Sequence, residues 1–193
     1  MCPETRQNGA GANKKKAMGI LTSLQRFDVA VFDKVFGTCQ QMPRVRLSAR
    51  LLSRSGDGYM QLLTPAFVWF SGSVLAPTYF VTLGLAMIIE RAVYFVLKNT
   101  LKRLRPADFK SNFKSVITAS DEFSFPSGHT SAAFCFSLIT VTVLGGASAL
   151  LFLWATIVGM SRLVLGVRFP GDVLAGAFVG SGVAMGTLSL LNM

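Results

Sequence analysis

Residues 125–172 have the sequence FPSGHTSAAFCFSLITVTVLGGASALLFLWATIVGMSRLVLGVRFPGD, which indicates the class of fold most directly. It contains two apolar runs, Ser127–Leu144 and Ala147–Leu165, separated by the pair Gly145-Gly146. Each run can cross the hydrocarbon core of a bilayer, which needs about 20 residues with a range of about 17–25. Two antiparallel spans joined in this way return Arg162 to the membrane face at which His129 lies.

The composition of the chain is that of an integral membrane protein. Its 193 residues leave room for one domain, with 51% hydrophobic and only 15% charged residues, and the mean hydropathy is +0.51. Soluble domains carry about 25% charged residues, so this class is excluded, as is a disordered chain. Three further runs are long enough to span: Tyr59–Ala76, Pro77–Leu97 and Asp172–Leu190. The sequence therefore predicts an all-α fold, a polytopic membrane bundle of about five transmembrane helices.

The part of the chain before the spans is polar and basic. We expect residues 1–18 to form a flexible basic tail, residues 19–58 an amphipathic helix and a basic connector, and residues 59–193 the membrane-embedded domain. The apolar positions over 20–36 have helical spacing, but four charged residues interrupt them. We therefore predict a helix that lies at the membrane interface, although a helix packed on the rest of the protein fits this periodicity equally well.

The net charge of +10 indicates acidic partners. The basic residues lie between apolar segments, where anionic membrane lipids rather than nucleic acid are the natural partners. With five spans, the segments 71–77 and 145–146 share one side of the membrane with the C-terminus, and this side contains no Lys or Arg. The positive-inside rule then favours the cytoplasmic face for the opposite side, which holds the segment 98–126.

Two features inside the predicted spans concern packing and charge. Glu90 and Arg91 fall within the second span. A structural ion pair and a functional role are both consistent with charges at that depth. The last span carries glycines whose expected role is close helix packing: Gly176, Gly180, Gly182 and Gly186.

The first of three polar clusters ends the second span. Lys98 and Arg105 are seven residues apart, so they share one face of a helix, and Pro106 then ends that helix. Two fixed cations at a membrane surface suit a phosphate group. Alone this signal is weak, because basic residues at helix ends are usually interface anchors.

The second cluster, Ser127-Gly128-His129, begins a span. The free N–H groups of a helix N-terminus favour an anion, and glycine lets the backbone come close to a ligand. Ser127 adds a hydroxyl group. His129 is the only histidine in the chain, which excludes a metal site built from several histidines, and we expect no metal.

The third cluster contains Ser161, Arg162, Arg168 and Asp172. The hairpin of spans brings it to the face of the second cluster. The first cluster lies there too, because it ends the helix before the loop that leads to Pro126. Each cluster alone is ordinary, but their convergence predicts one phosphate site at the membrane surface.

Together these clusters resemble the signature of the type 2 phosphatidic acid phosphatase (PAP2) superfamily, which shares its fold with the vanadium haloperoxidases. The family pattern is Lys-x6-Arg-Pro, then Pro-Ser-Gly-His, then Ser-Arg-x5-His-x3-Asp. The chain matches the first two elements in full and the third at Ser161, Arg162 and Asp172. It departs from the pattern at Arg168, where the family has histidine. The resemblance implies a PAP2-like helical core and metal-independent hydrolysis of a lipid phosphate without a cofactor.

The resemblance also implies a role for each matched residue. His129 would protonate the leaving group. Asp172 would orient the histidine of the third element, which attacks phosphorus and forms a phosphohistidine; this position is Arg168 here. The phosphate oxygens would be held by Lys98, Arg105, Ser127, Gly128 and Arg162.

Arg168 is chemically unsuited to the position that it occupies. A guanidinium stays protonated and has no usable lone pair, so it cannot attack phosphorus. Loss of a nucleophile costs about 10⁴–10⁶ in rate in other hydrolases. We therefore predict an inactive or severely impaired enzyme, in which Arg168 is a fourth cation on the phosphate or pairs with Asp172. Three origins stay open: an engineered substitution, a natural loss, or a histidine role supplied by another residue.

Two functional hypotheses follow, from different classes. The first is a lipid phosphate phosphatase scaffold for phosphatidic acid, phosphatidylglycerol phosphate or a polyprenyl (di)phosphate. The second is a non-catalytic membrane protein that binds or moves a lipid phosphate, and Arg168 favours it. A basic membrane scaffold without a phosphate site would leave the three clusters unexplained. Many bacterial members of the family are expected to face outward, which opposes the cytoplasmic preference from charge.

Overall fold

The computed structural model of the chain describes residues 25–109, 115–117 and 122–192. These residues form helices and no strand, so the predicted all-α class is confirmed. The expected tail, residues 1–18, and the start of the predicted amphipathic helix lie outside the described residues. The helices are α1 over residues 25–40, α2 Pro43–Ser55, α3 Tyr59–Phe70, α4 Ala76–Leu101, α5 Pro106–Phe109, α6 Gly128–Leu144, a 3₁₀ helix Gly146–Leu150, α7 Leu151–Val164 and α8 Pro170–Leu190.

Several apolar helices form a membrane bundle, as predicted. Within the described ranges, three helical stretches are long and apolar enough to cross a membrane: Ala76–Asp108, Gly146–Val164 and Pro170–Leu190. Helix α6 has 17 residues, about 26 Å at 1.5 Å per residue, which is the lower limit for a span. It lies at the centre of the bundle, between α4, α7 and α8.

The predicted span Tyr59–Ala76 is wrong in its extent. Helix α3 has 12 residues, about 18 Å, and ends at Phe70. The Ser71 hydroxyl donates to the Val68 carbonyl oxygen, and Gly72 has a φ of +72°, which reverses the chain toward α4. The small residues after Phe70 therefore break an otherwise apolar run before it reaches the length of a span.

The two helices before α3 pack on the rest of the protein while keeping exposed apolar side chains. Phe32 of α1 is fully buried and lies edge-on to Phe169, with ring centroids 5.3 Å apart. In α2, which was expected only as a connector, Ala49 packs with Leu165 and Val167. The same helix exposes 60% of Leu47. Over its described part, α1 packs on the rest of the protein, which is the second of the two interpretations of the amphipathic segment.

Helices α6 and α8 approach each other at two glycines. A Cβ atom at Gly176 would lie 2.6 Å from the Ser127 carbonyl oxygen, and one at Gly180 would overlap the Ser131 carbonyl oxygen. Gly182 and Gly186 face open space, with no atom within 4 Å of a Cβ. The predicted packing role therefore holds for one row of the helix and not for the other, because residues four apart share a face.

Gly180→Ala should separate α6 from α8 and destabilise the bundle. The added methyl group meets backbone, which cannot move aside as a side chain can, and overpacking costs about 1–3 kcal/mol. We expect the thermal midpoint of the detergent-purified protein to fall by several degrees. Gly182→Ala, in open space on the same helix, is the matched control and should leave the midpoint unchanged or slightly higher. Equal midpoints for the two variants would contradict the close approach.

Candidate active site

The start of α6 is held against the start of α8. Ser127 precedes the first turn of α6 and is fully buried. Its N–H donates to the Asp172 carbonyl oxygen at 3.0 Å, and its hydroxyl is 2.8 Å from that of Thr130. The second and third clusters of the sequence are thereby joined through the backbone.

His129 has a carboxylate partner that the sequence motifs did not predict. Its Nε2 lies 2.6 Å from Oδ1 of Asp57, in the turn between α2 and α3. In sequence, Gly56-Asp57-Gly58 has only the composition of a turn, which does not indicate a partner for His129. Gly56 lets the turn approach α7, since a Cβ there would lie 2.7 Å from Cγ1 of Val158. The only imidazole of the chain is thus positioned by a residue 72 positions away in sequence.

Lys98 and the intramembrane ion pair reach the same region from α4. The Lys98 ammonium donates to the Tyr94 hydroxyl at 2.6 Å, and a Cβ at Gly128 would lie 2.9 Å from the Tyr94 ring. Arg91 makes two hydrogen bonds to the fully buried Glu90, at 2.6 and 2.9 Å, and a third to the Gly128 carbonyl oxygen at 3.3 Å. The Glu90–Arg91 pair is therefore structural, and it ties α4 to the start of α6.

Two arginines of the motifs, Arg105 and Arg162, are almost entirely buried. Arg105 is 5% exposed and donates to the Val167 carbonyl oxygen at 3.2 Å. Arg162 donates to the Ser53 hydroxyl at 2.6 Å, which connects α7 to α2. Both guanidinium groups thus lie at the end of the bundle that carries His129.

Arg168 is anchored to the loop before α6. Its Nη1 donates to the carbonyl oxygens of Phe123 at 3.1 Å and Pro126 at 3.3 Å, and also to that of Ser124. The side chain is 1% exposed. These contacts are with backbone oxygens, so the guanidinium holds the loop that leads into the second cluster.

Asp172 is bound by Arg103, which occupies one of the unspecified positions of the first motif, between Lys98 and Arg105. Nη1 of Arg103 lies 2.7 Å from Oδ1 of Asp172, and Nη2 lies 2.5 Å from Oδ2 of Asp28. Asp28 also accepts a hydrogen bond from the Gly171 N–H at 2.6 Å, and the Arg103 guanidinium lies 4.5 Å from the centroid of the Phe169 ring. Helix α1 is thus fixed to the start of α8 through one arginine shared by two carboxylates.

Two cavities meet at the pair Asp57 and His129, which line both. The larger one, about 1410 Å³, is an apolar groove between α3 and α4, and Lys98 lies in its wall. The smaller one, about 390 Å³, is polar and includes Arg162 in its lining. Hydrogen bonds and packing bring the three clusters to one end of the bundle, but Arg105, Ser127 and Arg168 lie behind the walls of these two cavities.

The described part of the chain offers no group of three His, Cys, Asp or Glu side chains that could hold a metal ion. The charged and titratable groups that line the two cavities include an imidazole with a carboxylate partner, a second carboxylate, an ammonium and four guanidinium groups. Such a set can bind an anion and exchange a proton at His129.

Arg103→Gln should destabilise the protein by about 2–4 kcal/mol, because it leaves a buried Asp172 without its cation. We expect a thermal midpoint lower by about 5–10 °C. Lys102→Gln removes the same charge from an exposed neighbour and should have little effect. A midpoint for Arg103→Gln equal to that of Lys102→Gln would show that the shared arginine is not structural.

The sequence and the fold of this chain are similar to those of known proteins. The PAP2 superfamily profile matches residues 79–193. A curated relative, decaprenylphosphoryl-5-phosphoribose phosphatase of Mycobacterium tuberculosis, is 28% identical over 163 residues, covering 82% of this chain and 87% of the relative. The crystal structure of Aquifex aeolicus LpxE is similar with a TM-score of 0.69 and 24% identity, over 83% of this chain and 94% of that one. A transmembrane PAP2 type phosphatidylglycerolphosphate phosphatase of Bacillus subtilis gives a TM-score of 0.68 and 22% identity, over 88% and 87%. The chain belongs to the PAP2 superfamily.

Proposed function

We propose that this chain is a lipid phosphate phosphatase scaffold that binds its lipid phosphate but lacks the nucleophile needed to hydrolyse it. The observation that carries this proposal is the position of Arg168, which stands where the family has histidine and is anchored to three backbone carbonyl oxygens. A guanidinium donates hydrogen bonds in that setting and offers no lone pair to phosphorus.

The groove beside His129 supports a lipid rather than a soluble ligand. It is lined mainly by apolar side chains of α3 and α4, among them Leu62, Trp69 and Phe80, all exposed toward the space that a bilayer would fill. An acyl or prenyl chain buries apolar area in such a groove, while its phosphate stays at the polar end near Lys98 and His129. The relatives are named for a decaprenylphosphoryl sugar and for phosphatidylglycerol phosphate, which are of this class.

Each motif residue then has a role either in binding the phosphate group or in the attack on phosphorus, which this chain cannot carry out. The family resemblance assigns the phosphate oxygens to Lys98, Arg105, Arg162, the Ser127 hydroxyl and the Gly128 amide. Of these, Lys98, Gly128 and Arg162 line the two cavities, whereas Arg105 and Ser127 lie behind the cavity walls. His129, oriented by Asp57, donates a proton to the oxygen that leaves. Attack on phosphorus needs a second imidazole at position 168, with Asp172 as its partner. In this chain Asp172 is bound by Arg103 instead.

A non-catalytic protein that binds or moves a lipid phosphate is the alternative, and it uses the same groove and cations. Arg168 favours it for the chain as it stands. Measuring turnover distinguishes the two functions, because a binding protein leaves its lipid unchanged whether or not an imidazole is restored at position 168.

Arg168→His should gain phosphate release, by about 10⁴-fold or more over the unmodified chain, because it supplies the missing lone pair. The measurement is inorganic phosphate released from phosphatidic acid, phosphatidylglycerol phosphate and undecaprenyl diphosphate by detergent-purified protein. Arg168→Gln is the matched control, since it removes the guanidinium without adding a nucleophile, and it should stay inactive.

The outcomes of this comparison are distinct. Turnover by the unmodified chain would refute the missing nucleophile. Turnover by Arg168→Gln as well would show that the guanidinium only obstructs another nucleophile. If no variant releases phosphate but the unmodified chain binds these lipids, the binding function is favoured.

We propose the cytoplasmic face for the site, on the charge asymmetry of the loops. A cysteine at Lys102 and one at Ala147, exposed residues at opposite ends of the bundle, form a matched pair in a cysteine-free background. In intact cells an impermeant thiol reagent should label position 147 and not position 102. Labelling at position 102 alone would place the site outside.

A further inference from the structure

Tyr94 of α4 is in contact with the phosphate-binding lysine, although it belongs to none of the three motifs. It lies one turn before Lys98, so the two side chains share a face of the helix. The Lys98 ammonium donates to the Tyr94 hydroxyl at 2.6 Å and lies 5.0 Å from the centroid of the ring. Both residues line the apolar groove. The phenol therefore meets the ammonium inside the groove that we assign to the lipid.

The Tyr94 ring also packs on the first residue of α6. A Cβ atom at Gly128 would lie 2.9 Å from Cε2 and 3.0 Å from Cζ of this ring, which is closer than a side chain allows. Residue 128 therefore has to lack a side chain for the ring to occupy its position. Of the five residues assigned to the phosphate, Lys98 and Gly128 are the two that line the groove, and Tyr94 touches both.

Arg91 restrains the same ring. The carbon of its guanidinium lies 4.7 Å from the ring centroid, which is a cation–π distance. Arg91 is itself hydrogen-bonded to Glu90 and to the Gly128 carbonyl oxygen. The ring is thus held between α4 and the start of α6 by contacts that involve no ligand, and its hydroxyl is an acceptor at a fixed place.

A fixed acceptor affects how a lysine binds an anion. The ammonium is a compact charge at the end of a flexible four-carbon stem, and it loses rotamer freedom when it binds. Lys98 is already 92% buried against its surroundings, at 8% exposed, and Tyr94 restricts its ammonium before a ligand arrives. An ammonium has three N–H donors, so it can serve a phosphate oxygen and the phenol together. Such preorganisation raises affinity because less freedom is lost on binding.

We propose that Tyr94 is a positioning residue of the phosphate site, whose hydroxyl holds the Lys98 ammonium in the groove wall for a phosphate oxygen of the bound lipid. This rests on the proposed lipid phosphate function. The hydroxyl acts through Lys98 and makes no contribution to binding of the tail. Its removal therefore weakens binding only of lipids that carry a phosphate, and only while the ammonium is present.

The test removes the hydroxyl alone and compares lipids that differ by the phosphate. The detergent-purified unmodified chain and Tyr94→Phe are titrated with phosphatidic acid and diacylglycerol of the same acyl chains, and with undecaprenyl phosphate and undecaprenol. We expect Tyr94→Phe to bind the phosphate lipids about five- to tenfold more weakly, because a hydrogen bond to a charged group is lost. Its affinity for the phosphate-free lipids should change by less than about twofold.

Tyr79→Phe is the matched control, because it makes the same substitution on the same helix. The Tyr79 hydroxyl is hydrogen-bonded to that of Thr140 at 2.9 Å in the core, and Tyr79 lines neither cavity. This variant should lower the thermal midpoint and leave the affinity for phosphate lipids unchanged. Tyr94→Phe keeps the ring on Gly128, so it should keep the midpoint of the unmodified chain within about 2 °C.

Lys98→Gln supplies the comparison that a packing role would not alter. In this background Tyr94→Phe should change the affinity for phosphate lipids by less than about twofold, because the hydroxyl no longer has an ammonium to position. The two substitutions are then coupled, as expected for a residue that acts through its neighbour.

Two results would overturn the proposal. One is an unchanged affinity of Tyr94→Phe for the phosphate lipids. The other is an equal loss with and without the Lys98 ammonium, or an equal loss for the phosphate-free lipids, which would make Tyr94 a packing residue of the groove. If the unmodified chain prefers neither phosphate lipid to its phosphate-free partner, the proposed lipid phosphate function itself fails.

Discussion

The contact between α6 and α8 is the constraint on which the rest of the site depends. Gly176 and Gly180 let the two helices approach until backbone meets backbone, and the Ser127 N–H then reaches the Asp172 carbonyl oxygen. In lipid there is little hydrophobic gain from bringing helices together, so close packing of small residues supplies much of the attraction. The two motif segments, about 45 residues apart in sequence, are therefore aligned by close contact between helices. The Ser127–Asp172 backbone hydrogen bond and the bonds from Arg168 to the loop before α6 add to this contact.

The buried charges at the end of the bundle that contains His129 have partners on other helices or loops, and these contacts hold the helices in place. Arg103 binds Asp172 of α8 and Asp28 of α1, Arg91 binds Glu90 and the start of α6, and Arg162 binds Ser53 of α2. Burying a charge is costly unless it is paired, so each of these contacts both satisfies a charge and fixes the geometry of two elements. The peripheral helices α1 and α2 are consequently part of the site's framework.

Much of this site could be predicted from local patterns, and the remainder could not. The lengths of the apolar runs and the positions of the three clusters predicted a helical membrane bundle with the clusters at one end. The pairing of His129 with Asp57 and of Asp172 with Arg103 joins residues about 70 positions apart, and no local spacing indicates such contacts. The break of α3 after Phe70 was readable, because Ser71-Gly72-Ser73 interrupts the apolar run. Which glycine row of α8 faces α6 depends on the rotation of the helix about its own axis. Helix α8 has no separate polar face, so its sequence does not reveal this rotation.

The shared wall of the two cavities has a consequence for how occupancy of the site can be observed. Asp57 and His129 separate an apolar compartment from a polar one. A molecule that reaches from one compartment into the other has to pass this pair and alter the surroundings of its imidazole. Since His129 is the only histidine in the chain, the imidazole region of a nuclear magnetic resonance spectrum contains a single residue. The His129 signal therefore reports on the boundary between the apolar groove and the polar cavity. A change in its chemical shift distinguishes a ligand that crosses this boundary from one that remains in the bilayer.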